Sequence, residues 1–197
     1  RTGMTVAEKQ RFINAMLTLS NPMSPLNAQF NTLIRKHQIL FGSGIHSGPL
    51  FFPWHREYIF DLENLLQQVD CRVTVPYWRW SMEAANPFAS SIWAGTPSGF
   101  GGNGVPGGSC IASGPFQPPW VDSQLTPQCL RRNWFNAATF ATESAITTLL
   151  DVTCPTSADF NCMRAGIESF HNQVHVSIGG QMGYINAATY QLIIAMH

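Results

Sequence analysis

The sequence predicts a mainly α-helical domain with a four-helix-bundle core, long irregular loops and little β structure. Three observations carry that reading. Four separate segments repeat apolar residues at spacings of three and four, the signature of one buried helix face. Residues 86 to 130 are instead rich in Gly, Pro, Ser and Asn, with no sustained period. The chain of 197 residues is long enough to bury one sizeable core, so residues 1–197 are read as a single domain.

The first helix opens at Thr5-Val-Ala-Glu8, a capping box, and runs to about Leu19. Asn21-Pro22 and Ser24-Pro25 break the chain. A second helix spans about Asn27 to Leu40, with Phe30, Leu33/Ile34, His37 and Leu40/Phe41 facing inward, and Gly42 and Gly44 end it. Pro49 and Pro53 exclude one continuous helix through residues 46–55. His46 is therefore expected on a loop and His55 in the opening turn of a third helix, from near Trp54 to about Gln68. Its stripe is His55, Tyr58/Ile59, Leu62, Leu65/Leu66 and Val69.

Arg72 to Trp80 is short, apolar and aromatic. Beyond it lies the irregular excursion, for which Trp93, Phe100, Phe116 and Trp120 provide apolar anchors and Cys110 and Cys129 a means of pinning. A polar helix or turn near 137–150 leads to the fourth main helix, about Ser157 to Ser177. Its inner stripe is Phe160, Met163, Ile167, Phe170/His171, Val174/His175 and Ile178. The segment Tyr190 to His197 still looks helical where the sequence stops.

Composition narrows the function. Charged residues make up 11% of the chain, against about 25% in an average soluble domain, and the net charge is zero. No basic run or patch is visible, which argues against nucleic acid as a partner. No apolar run approaches the roughly 20 residues that span a bilayer, and no signal-peptide pattern stands at Arg1. Without an initiator Met, the chain reads as a processed or trimmed product. Five cysteines, none in a Cys-x-x-Cys pair, point to disulfides in the long loops and hence to secretion. The odd count leaves one thiol free or paired elsewhere; buried free thiols in a cytosolic protein are the alternative.

The histidines form a set. His171 and His175, at i and i+4, lie about 6 Å apart on one helix face. A lone His on an apolar stripe is usually a satisfied core residue, but His37, His55, His171, His175 and His197 all fall on inward stripes, and His46 lies between two of them. Two groups of three follow, 37/46/55 and 171/175/197. Imidazoles without neighbouring Asp, Glu or Cys suit copper or zinc rather than magnesium or calcium. A pair of such sites on facing helices suits two metals holding a small molecule between them. A redox pair accounts for the duplication better than a catalytic zinc does.

These residues resemble a known family. His46-x8-His55 within Gly-Pro-Leu-Phe-Phe-Pro-Trp-His-Arg-Glu is similar to the type 3 copper proteins: tyrosinases, catechol oxidases and hemocyanins. So are Pro76-Tyr77-Trp78 and His171-Asn172-x-x-His175-x3-Gly179-Gly180-Gln181-Met182. The resemblance runs from the Thr5 helix to His197. It implies that His37, His46 and His55 hold a first copper and that His171, His175 and His197 hold a second. It further implies that dioxygen binds between them as co-substrate, and that small phenols or catechols are oxidised to o-quinones. A tyrosinase also hydroxylates monophenols, as a monooxygenase. For that step the resemblance implies a water held by Asn172 and an acidic partner, with Glu168 one turn earlier as the candidate; a solvated helix residue is the alternative for Glu168. Ile185 lies near a position that gates the copper pocket in the family, and a core role suits it equally.

The chain departs from the family pattern in places. Tyr190-Gln-Leu-Ile-Ile-Ala-Met-His197 replaces Asp-Pro-x-Phe-x-x-His-His, and Arg79 stands where Asp commonly follows Pro-Tyr-Trp. The spacing of His37 from His46 is short, and no Cys near His46 can form the thioether of some members. The chain stops at His197 where the family continues its helix, so a C-terminal truncation is expected. The competing functions are a reversible dioxygen carrier of the hemocyanin type and a copper-poor extracellular matrix or interaction protein. A zinc hydrolase comes last, because no Glu accompanies the His-x-x-x-His as a metalloprotease base.

Overall fold

Thr5 caps the first helix as its sequence requires. Its side-chain oxygen accepts from the Glu8 amide, and the Glu8 carboxylate accepts from the Thr5 amide at 2.7 Å. The structure is a computed structural model that describes residues 4–105, 110–119, 129–135, 140–156 and 159–183. Five α-helices are present among the described residues: α1 (Val6–Ser20), α2 (Asn27–Leu40), α3 (Phe51–Val69), α4 (Glu143–Thr148) and α5 (Phe160–Ile178). The β content among them is two isolated bridges, Gly104 with Ile111 and Cys110 with Arg131. The expected mainly helical architecture is what the chain adopts.

α1, α2 and α3 pack on one another, and α3 also packs on α5. Phe12, Ile13, Met16 and Leu19 of α1 meet Phe30, Leu33 and Ile34 of α2 and Tyr58, Leu62 and Leu66 of α3 in a common core. The boundaries of α1 and α2 fall where the caps and breakers put them. α3 begins three residues before the expected Trp54, because Pro53 sits in the first turn, where its missing N–H has no intrahelical acceptor to lose. His55 is therefore a full turn inside the helix, not in its opening turn. The polar segment after residue 140 forms the short helix α4, which loosens into a π turn over Leu149–Thr153.

The inner stripe of α5 is displaced from the sequence reading in its first half. Phe160 is exposed, whereas Glu168 is 4% exposed. From His171 onward the expected stripe holds, with His171, Val174, His175 and Ile178 buried.

The excursion through residues 86–130 is anchored as expected where it is described. Trp93, Phe100 and Phe116 are buried, and a Cys110–Cys129 disulfide closes the loop. Trp120 lies outside the described residues. A second disulfide, Cys154–Cys162, ties the π turn to the start of α5, and Cys71 is free and exposed. Arg132, a fully buried guanidinium, donates through Nη1 to the carbonyls of Phe100, Gly101 and Gly102 and lies over the Trp93 ring. Burial in that apolar setting lowers its pKa to about 9. No described helix is long and apolar enough to cross a membrane.

Candidate metal centre

The inward faces of α2 and α3 and the loop between them bring three imidazoles together. His37 is buried on the third turn of α2, His46 is half-buried on the loop and His55 is half-buried on α3. Their ring centroids are 5.1 Å (37–46), 5.5 Å (37–55) and 4.9 Å (46–55) apart. One ring nitrogen from each lies within 4.8 Å of the other two. The sequence grouping 37/46/55 is thus a spatial cluster.

Aromatic rings close off the cluster. Phe41 lies 4.4 Å from His46, Phe51 4.8 Å from His55, and Trp54 5.5 Å from His37. The desolvation they impose disfavours charged imidazolium. It lowers the pKa of His37 to about 3 and of His55 to about 4, and lowers that of His46 as well. The cluster is neutral at physiological pH, the state in which imidazole offers a lone pair.

His171 and His175 stand on α5 with centroids 4.3 Å apart, and His171 lies 6.2 Å from His55 and 5.2 Å from Phe51. The two groups therefore face each other across one small volume. His175 is buried, its pKa pushed down to about 4 chiefly by desolvation. His197 and Ile185 lie outside the described residues.

The backbone fixes how two of these rings point. The Nδ1–H of His55 donates to the Phe51 carbonyl at 2.7 Å, and that of His175 to the Met182 carbonyl at 3.1 Å. A carbonyl can only accept, so Nε2 of each ring keeps its lone pair. The Met182 carbonyl reaches His175 because the chain reverses sharply after α5. Gly179 (φ 62°, ψ −158°) and Gly180 (φ 56°) turn it against residues 131–133. Gln181 then locks the turn, donating to the Cys129 carbonyl at 2.8 Å and accepting from the Arg131 amide at 2.5 Å. The Gly-Gly-Gln-Met run is the device that orients His175.

The donor set suits a resident metal. Nδ1 of His37, Nδ1 of His46 and Nε2 of His55 are buried without a hydrogen-bond partner among the described residues. Orphaned buried nitrogens are costly unless something takes their lone pairs. Three convergent neutral imidazoles fit copper or zinc.

Glu168 and Asn172 line one cleft with His46, Ser47 and Phe41. The burial of Glu168 excludes the solvated alternative. Its Oε1 accepts from the Ser47 amide at 2.6 Å, and its Oε2 from Nη1 of Arg164 at 2.5 Å. Arg164, the Ser47 amide and the Phe51 and Met182 carbonyls are contributors that sequence reasoning missed. Only the i,i+4 spacing of Arg164 and Glu168 carried a signal in the sequence.

Comparison with known proteins gives a consistent picture. Residues 27–197 match the common central domain of tyrosinase. A tyrosinase of Streptomyces lincolnensis is 28% identical over 201 residues, covering 91% of this chain and 70% of that protein. The tyrosinase-like protein phomQ2 of Diaporthe leptostromiformis is 30% identical over 216 residues, 99% of this chain and 54% of that protein. Grixazone synthase of Streptomyces griseus is 36% identical over 118 residues, 57% of this chain and 37% of its own.

Proposed function

Since the chain belongs to the tyrosinase family, we propose that it is a copper oxidoreductase that oxidises phenols and o-diphenols to o-quinones with dioxygen. The observation that carries this reading is the convergence of His37, His46 and His55, with orphaned ring nitrogens in an aromatic shell. These three would hold a first copper, and His171 and His175, with His197, a second. When bound, the copper pair supplies dioxygen activation and the two-electron oxidation of the substrate.

The chain's own residues do the rest. The carbonyls of Phe51 and Met182 fix the tautomers of His55 and His175, so that Nε2 faces the site. Phe41, Phe51 and Trp54 exclude water from the imidazole cluster. Asn172 and Glu168 line the cleft that opens beside His46. A carboxylate offers about four lone-pair sites, and Glu168 uses one on Ser47 and one on Arg164. It retains acceptor capacity for a water, held jointly with the Asn172 amide, that takes the proton of an incoming phenol. A catechol gives up two protons and two electrons, and half a dioxygen is reduced to water. The two disulfides support an oxidising compartment, and thus secretion.

The test is oxygen uptake by copper-loaded protein on adding a catechol, with quinone absorbance followed in parallel. Sustained uptake is expected, and a His55→Ala variant should lose it together with one bound copper. Reversible dioxygen binding without turnover would replace the oxidase with an oxygen carrier. Failure to bind copper at all would refute both.

A further inference from the structure

We propose that Arg164 is a positioning residue for the first half of the site, acting through Glu168 and the Ser47 amide to hold His46 in place. His46 is the one member of the first triad that no helix carries. Its loop, residues 41–50, is irregular and includes two left-handed residues, Gly44 (φ 85°) and Ser47 (φ 56°). Glycine adopts that region freely, but a serine there is strained and persists only where its surroundings hold it.

The hold on Ser47 comes from α5, far along the chain but adjacent in space. Its amide donates to Glu168 Oε1 at 2.6 Å, across 121 positions of sequence. The carboxylate that accepts this bond is buried, and a buried carboxylate is stable only when paired. Arg164 supplies the pair from the preceding turn of α5, at 2.5 Å from Oε2, with side-chain exposures of 12% for Arg164 and 6% for Glu168. The same helix carries His171 and His175. The bridge Arg164–Glu168–Ser47 therefore fastens the loop-borne ligand of one half-site to the helix that bears the other. Glu168 has two tasks: it faces the cleft, and it anchors the loop.

This inference rests on the copper reading only for its metal readout; the bridge itself can be measured in metal-free protein. Arg164→Met leaves Glu168 buried without its cation. Exchange of the Ser47 amide with deuterium should rise at least tenfold while the amides of α1 are unchanged, and Arg164→Lys should restore most of the protection. In chelator competition, one copper per chain should weaken in Arg164→Met by about 10–100-fold, the usual cost of losing a residue that supports a ligand. The other copper should hold. Unchanged Ser47 exchange in a folded Arg164→Met protein would overturn the proposal. So would a freed Ser47 amide with both copper affinities intact, since the bridge would then hold the loop without governing His46. Wild-type protein that binds no copper would refute the dicopper reading, and Ser47 exchange would then decide the bridge alone.

Discussion

Replacing Gly179 by alanine tests how the second half-site is oriented. Gly179 combines φ 62° with ψ −158°, a region essentially confined to glycine, and side chains forced there cost about 1–3 kcal/mol. A Cβ at this position would lie 2.4 Å from the Asn133 carbonyl oxygen, so one backbone must give way. The segment it would push off is fastened to the end of α5 by Asn133 N–H to the Ile178 carbonyl (3.1 Å) and Phe135 N–H to the Ser177 carbonyl (2.8 Å). Losing one or both adds about 0.5–1.5 kcal/mol each. Gly179→Ala should therefore destabilise the metal-free protein by about 1.5–6 kcal/mol, a large share of the roughly 5–15 kcal/mol of an ordinary domain. Urea unfolding followed by tryptophan fluorescence measures it. Gly183→Ala is the control: among the described residues, chain neighbours aside, no atom lies within 4 Å of a Cβ built there, so a change within about 0.5 kcal/mol is expected. Gly179→Ala as stable as Gly183→Ala would refute the account of this turn and, with it, of the bond from His175 to the Met182 carbonyl.

Three other outcomes are expected. Replacing Cys110 and Cys129 together by alanine releases a loop of sequence separation 19 and should cost about 3 kcal/mol in unfolding experiments; an unchanged urea midpoint would show that the excursion is held by its aromatic anchors instead. The metal-free protein should weaken on acidification. His37, His55 and His175 resist protonation down to about 3, 4 and 4, whereas the unfolded chain takes up protons near 6.5. Stability is thus complete above pH 6.5 and falls as pH drops from there toward 4, by up to about 1.4 kcal/mol per pH unit per histidine, and a flat series of urea midpoints between pH 7 and 5 would contradict this. Thr5→Ala removes the capping box and should lower stability by about 1 kcal/mol without altering copper uptake.

The residues that were legible in the sequence are those whose structural reasons are local. Thr5 and Glu8 cap α1 across one turn, and the stripe Phe30, Leu33, Ile34, His37 needs only the helical period to be read. Pro53 misled because the same ring that breaks a helix interior is harmless three residues into one. Glu168 could not be decided from α5 alone: whether it is solvated or buried depends on Ser47, on a distant loop. Arg132 gave no signal either, since its partners are backbone carbonyls of residues 100–102, and any sequence supplies carbonyls. The Gly-Gly-Gln-Met run was recognisable as a motif, but its reason lies in the close approach of residues 131–133, which no periodicity encodes. His197 and Ile185 remain sequence expectations, because they lie outside the described residues.

The first triad lies within residues 37–55, a helix end, a loop and the start of the next helix, whereas His171 and His175 follow more than a hundred residues later. Contacts close in sequence form early in folding, and distant ones wait for loop closure. The chain can thus gather one metal-binding nest while the irregular excursion is still unformed, with α5 arriving afterwards. Pulse-labelled amide exchange during refolding should find α2 and α3 protected before α5; simultaneous protection would deny this order. Assembly in that sequence makes the two half-sites unequal in age: one is built by its neighbours, and the other, delivered late, closes the volume between them.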